Sequence, residues 1–360
     1  MFFNVSFIFF WEGGHCTNDW VSRGLVPDSV MRIICTSCVS DIDIKKDFLI
    51  VLEFLCKCLF YERDSKAPKF AGERLRRLVG MDSHIASSIL SCQSFSADCS
   101  SLKPPNSTEL ISLCSTIISS FSISKEEFDS WSHHCHFGDC CLSQLELLYA
   151  HDDLPQWYLN NYGTRFNDYE AFLIVLQRCI DSNFIVDDEA LQSFFNRIQT
   201  LFVHNCVVLG SKVLQLFCKL FDTTYSLLKE PCLAPCIVQS FFHALDVCHG
   251  NFDACYAVIN TIMSISNNME ALEQLSQVES QFDTLMLIPE RIRGRPILVT
   301  KIAELLTFLL EYSQDSERGN EESRSSLAEG IIGAVLRHPD NPILKQCPKL
   351  VAFVSDVSLN

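Results

Sequence analysis

The chain has 360 residues, sets 28 Lys and Arg against 44 Asp and Glu for a net charge of −16, and is 48% hydrophobic with 20% charged residues. That apolar content offsets the ordering entropy of the chain and excludes wholesale disorder, while an acidic surface repels a polyanion and argues against nucleic acid as a partner. Glycine and proline number only 13 and 12, too few for the turns of a sandwich or barrel.

In chain order, the start MFFNVSFIFFWEGGHC is strongly apolar but has no Lys or Arg ahead of its hydrophobic run. Its core is also shorter than a bilayer requires. Residues 1–40 are therefore expected to form a poorly defined N-terminal segment, with residues 1–16 a secretory signal only as the alternative. Helices are then expected at about 45–61, 71–90, 107–121, 124–134, 142–150 and 168–182. Ser124 and Glu127 have the spacing of a capping box. Residues near 104–107 are a candidate boundary between an N-terminal helical part, 41–105, and the remainder, 106–360.

The period is clearest after residue 187. Leu191, Phe194, Phe195, Ile198, Leu201 and Phe202 recur at steps of three and four, with Gln192, Ser193, Asn196, Arg197 and Gln199 on the other face. Asp187, Asp188 and Glu189 suit the positive end of that helix. The next helix turns Val213, Leu216, Phe217 and Leu220 inward and Lys212, Gln215, Lys219 and Asp222 outward. Pro235 and Gly250 bracket another, a single helix is expected over 269–287 before Pro289, and Pro296 opens one carrying Leu298, Ile302, Leu305 and Leu309. The serine-rich acidic stretch 313–326 is expected to be a mobile linker, followed by a helix over 327–337 and a short terminal helix. The longest apolar run, 201–221, holds His204, Asn205, Lys212, Gln215 and Lys219 and would be costly as a membrane span.

No segment alternates strictly, so the expected class is all-α. Helices of this length, joined by short links and apolar over a wide face, must pack on their chain neighbours as an irregular stack of helical hairpins. From about residue 140 onward the chain resembles an armadillo- or HEAT-type α-solenoid in helix length, paired connection and punctuation, without a repeat signature. A compact irregular helical domain is the alternative.

The densest set of potential ligands is His133, His134, Cys135, His136, Cys140 and Cys141, of which His133, His136, Cys140 and Cys141 are the zinc candidates. Gly138 interrupts the helical spacing between the histidines and the thiols, and a polar turn between two helices explains the same letters. Cys35 and Cys38 have C-x-x-C spacing, but Cys56 and Cys58, two apart on a helix, point about 200° away from each other. Cys232, Cys236 and His243 meet the same objection in a proline-bracketed stretch. Most of the 19 cysteines lie in apolar helical runs, as Cys114, Cys218 and Cys255 do, which reads as reduced thiols of the cytoplasm or nucleus. No phosphate-cradling loop, nucleophile elbow or H-E-x-x-H motif occurs. The basic clusters at 66–77 and 291–295 read as solvated surface.

No catalytic residue and no cofactor is therefore expected. The functional expectation is a non-enzymatic scaffold or adaptor that presents an extended helical surface to a protein partner, with a basic segment of that partner steered by the acidic charge. The alternative is a zinc-binding module or metal-dependent enzyme centred on residues 133–141.

Overall fold

The structure is a computed structural model and describes residues 42–61, 66–82, 84–103, 105–120, 123–149, 167–182, 185, 187–207, 209–248, 250–278, 282–315 and 320–358. Among these residues seventeen α-helices and one 3-10 turn, Ser94–Ser96, account for all regular structure, and no strand occurs. The protein is all-α. The N-terminal segment 1–40 and the Cys35–Cys38 pair lie outside the described residues.

The chain divides into two compact units, Met1–Phe184 and Ile185–Asn360. The first contains α1 (Ile42–Tyr61), α2 (Lys66–Met81), α3 (Ile85–Leu90), α4 (Asn106–Ser119), α5 (Lys125–His134), α6 (Phe137–Tyr149) and α7 (Asn167–Asp181). Helix α2 packs on α1 and α4, and α4 in turn on α6 and α7. The boundary expected near 104–107 thus falls inside one unit, because α2 and α4 close against each other across it. Arg76 Nη1 donates to Glu109 Oε2 at 2.7 Å in that contact, with Glu109 buried.

The helix expected over 71–90 is two helices. Asp82 Oδ1 accepts the His84 N–H at 2.9 Å, a side-chain turn that competes with the helical ladder. At its other end α2 starts before Pro68, which stands in the first turn where no N–H is needed. Glycine 72 lets α4 approach: a Cβ there would lie 2.5 Å from Glu109 Oε2 and 3.0 Å from Glu109 Cβ. Gly72→Ala gains about 1 kcal/mol of helix propensity but must displace Glu109 from Arg76. A net loss of about 1–2 kcal/mol is expected, seen as a lower urea midpoint. A raised midpoint would contradict this close contact.

The second unit contains α8 (Asp188–Asn205), α9 (Ser211–Leu227), α10 (Ile237–Cys248), α11 (Phe252–Ile265), α12 (Met269–Ser276), α13 (Phe282–Arg291), α14 (Pro296–Gln314), α15 (Glu321–Arg337), α16 (Pro342–Gln346) and α17 (Pro348–Ser358). Short polar side chains start many of these helices: Asp187 accepts the Ala190 N–H at 3.0 Å, Asn251 the Ala254 N–H at 3.0 Å, and Asn320 the Glu322 N–H at 3.0 Å. Pro296 opens α14 as expected. Gly250 does not serve as a left-handed cap, since Gly294 is the only described glycine with positive φ.

Two further expectations change. Instead of one helix over 269–287 there are two, α12 closing on i→i−3 bonds from Gln277 and Val278. Pro289 sits inside α13 rather than after it, and the Ile292 N–H still reaches Ile288 O at 2.8 Å beyond it. The linker expected over 313–326 is largely helical where described, because Glu321 and Glu322 occupy the first turn of α15, where the helix dipole favours them. Arg324 Nη1 also donates to Asp315 O at 2.8 Å and Ser326 Oγ to Ser276 O at 2.7 Å; residues 316–319 lie outside the described set.

The helices of this unit form two rows. In one, α10 packs on α8, α12 and α13, and α15 on α12 and α13. In the other, α11 packs on α9 and α14, and α14 on α16 and α17. The rows meet through α8 with α9, α10 with α11, α13 with α14 and α14 with α15. A phenylalanine cluster fills the first part of the seam: the Phe202 and Phe217 rings stack at 4.1 Å, and Phe241 lies 4.8 Å from Phe202 and 5.3 Å from Phe221.

Candidate functional site

The segment 133–141 is a helix-to-helix corner. Helix α5 begins at the Ser124 cap, whose Oγ accepts the Glu127 N–H at 3.1 Å, as the capping-box spacing implies. It ends at Cys135, and His136, at φ 51°, takes the left-handed position that turns the chain into α6. The corner is fastened to the segment before α4. Trp131 Nε1 donates to Phe95 O at 2.9 Å, the Cys99 N–H donates to Cys135 O at 2.8 Å, and the Trp131 ring stacks on Phe95 at 4.9 Å and meets Phe137 at 5.2 Å.

This geometry separates the zinc candidates. His133, His134 and His136 are exposed, His136 leaning on Asp139 at 3.5 Å, whereas Cys140 and Cys141 are buried on the opposite side. Burial pushes the Cys140 thiol up to about 12 and holds Cys141 and Cys114 well above the ordinary thiol range. No three His, Cys, Asp or Glu side chains converge as a metal site among the described residues.

The remaining thiols follow the same division. None of the sixteen described cysteines is in a disulfide and fourteen are buried, Cys56, Cys58, Cys114, Cys218 and Cys255 among them; Cys232 and Cys236 are exposed. The basic clusters are partly answered within the fold. Arg76 pairs with Glu109, Arg77 with Glu73 at 2.5 Å, Arg74 lies over the Phe70 ring at 5.1 Å and Arg295 over Phe252 at 4.8 Å. Asn106 opens α4 with its Nδ2 donating to Leu59 O at 2.6 Å, and Ser107 and Thr108 are buried.

The most elaborated polar feature of the second unit is the strap 228–236 between α9 and α10, which the sequence did not single out. An irregular strand of chain must find partners for its peptide groups, and side chains of α8 and α12 supply them. Gln199, fully buried, donates to Cys232 O at 3.1 Å and accepts the Ala234 N–H at 2.7 Å. Gln192 clamps Cys232 in the same two-way manner at 3.3 and 3.2 Å. From the other side Glu270 accepts the Leu233 N–H at 2.7 Å, Gln274 donates to Ala234 O at 3.1 Å and Asn268 donates to Pro231 O at 3.1 Å. Cys236 then enters α10 at φ 64° with its thiol outward.

Periodicity alone places Gln192 and Gln199 on the solvated face. The available signal was the Pro-Cys-Leu-Ala-Pro stretch itself, which cannot satisfy its own backbone. Gln199→Ala leaves the Ala234 N–H and Cys232 O without that partner, at an expected cost of about 2 kcal/mol. Hydrogen exchange at Ala234 should accelerate in step with a lower urea midpoint. Unchanged exchange would mean that the clamp does not hold the strap.

No helix among the described residues is long and apolar enough to cross a membrane. The run 201–221 is divided between α8 and α9 by a turn ending at Gly210, the residue that precedes α9. Comparison with protein-family models, curated proteins and solved structures finds no match to this chain.

Proposed function

We propose that the second unit is an α-solenoid of the armadillo or HEAT kind and that the protein acts as a non-enzymatic scaffold or adaptor for a partner protein. The supporting observation is that polar contacts join helices of hairpins that follow one another along the chain. Gln199 reaches Cys232 across 33 positions, Asp222 reaches Thr261 across 39, Asp246 reaches Thr284 across 38 and Thr300 reaches Gln346 across 46. Contacts of this range suit helical-hairpin units that touch their sequence neighbours, although only the last offset falls within the ~40–47 residues usual for such repeats. Such a stack directs its apolar residues into packing and leaves polar ridges for recognition.

The net charge of −16 favours a basic segment of the partner, and buried free thiols suit a cytoplasmic or nuclear setting. The test is affinity capture followed by reconstitution with the purified partner at low and at physiological ionic strength. Direct binding that slows and weakens with salt is expected. Binding indifferent to salt would remove the electrostatic part. Stoichiometric zinc in protein purified without chelator, or a turnover lost on substituting His133, would replace the scaffold reading with the metal-site alternative.

A further inference from the structure

Cys248 is the last residue of α10 and Cys255 lies in the first turn of α11, and their Sγ atoms are 3.8 Å apart. Both thiols are turned into the same junction: Cys255 Sγ also contacts Cys248 O at 3.4 Å and Cys248 Sγ approaches Leu245 O at 3.8 Å. A disulfide needs the sulfurs at about 2.05 Å, so each must move by roughly one ångström. The connection between the helices can allow this, since Gly250 is exposed with no atom within 4 Å of where a Cβ would stand.

We propose that Cys248 and Cys255 form a reversible disulfide when the protein meets a hydroperoxide, locking the α10–α11 hairpin of the second unit. In the first step the Cys248 thiolate attacks one peroxide oxygen. An S–O bond forms, the O–O bond breaks, and the departing oxygen takes a proton to leave as water or an alcohol. In the second step Cys255 attacks the sulfenic sulfur; the S–S bond forms, the S–O bond breaks, and the hydroxyl leaves as water with the Cys255 proton. Two thiols are oxidised and one peroxide is reduced, so the electrons balance.

The order of attack follows from the pair. Cys248 is 6% exposed and Cys255 is sealed, so a small oxidant reaches Cys248 first. The hydrogen bond from Cys255 lowers the Cys248 thiol against the opposing effect of burial and Asp246. The contact with Cys248 and burial raise the Cys255 thiol, and Arg291 is the nearby cation that counters that rise.

The experiment treats the native full-length chain with a few equivalents of hydrogen peroxide, blocks free thiols and cleaves with chymotrypsin. Cutting after Phe252 separates the two cysteines, so the bridge appears as two peptides joined by a bond that dithiothreitol releases. The expected result is a Cys248–Cys255 link, with slower hydrogen exchange through residues 248–255. Cys255→Ala should instead leave Cys248 as a sulfenic acid that a dimedone probe captures, and Cys232→Ser with Cys236→Ser should leave the bridge unaffected. The proposal is overturned if Cys248 and Cys255 remain fully alkylatable after unfolding of the oxidised protein.

Discussion

Replacing Phe217 with alanine is expected to cost the second unit about 3–5 kcal/mol. The side chain is 3% exposed; its ring stacks on Phe202 at 4.1 Å with planes 10° apart and also approaches Phe221 at 6.1 Å and Phe241 at 6.5 Å. These rings belong to α8, α9 and α10, so truncation opens a cavity where the two rows meet rather than at a surface that can collapse. Urea unfolding followed by helical circular dichroism reads the effect directly. A loss below about 0.5 kcal/mol would place the residue on a yielding surface and refute the packing described.

Asp222→Asn is expected to stabilise the protein at neutral pH. The sequence period sets Asp222 outward, but in the fold it is half-buried, with Oδ2 accepting from Thr261 Oγ1 at 3.0 Å and Oδ1 from Ser264 Oγ at 2.9 Å. Burial pushes its carboxyl up to about 6 from the usual 3.8, against the opposing effect of the two hydroxyls. Between those values the folded state binds more protons than the unfolded one. Stability therefore falls as pH rises from about 4 to about 6, and the full penalty is present above that window. Asparagine carries no charge to desolvate and keeps an acceptor for one hydroxyl, while Ser264 Oγ can turn to Thr261 O at 2.8 Å. The gain at pH 7 is up to about 3 kcal/mol, vanishing near pH 4. A destabilised variant, or one with the wild-type pH profile, would show that the carboxylate is better solvated than its surroundings imply.

The failed expectations share a cause with the successful ones. Periodicity found α8, α9, α11 and α14 because each helix has one wide apolar face, and local chemistry found the caps at Ser124 and Asp187 and the opening proline of α14. The same reasoning placed Gln199 and Asp222 outward, since a polar letter on the polar side of a helix normally meets water. Here a strap crosses over Gln199 and α11 covers part of Asp222, two partners more than thirty residues away. At the 133–141 corner, letters close in sequence are set on opposite sides of a turn.

What the sequence determined by itself was the all-α class, most helix positions and the burial of thiols such as Cys114, Cys218 and Cys255. These depend on spacing within one turn or one helix, where backbone geometry fixes which residues share a face. Tertiary structure alone decided that α2 and α4 belong to one unit, that the α8 and α12 side chains hold the 228–236 strap, and that Cys248 meets Cys255. Such outcomes turn on which helices lie against each other, and the period of a single helix encodes only that it must be covered, not what covers it.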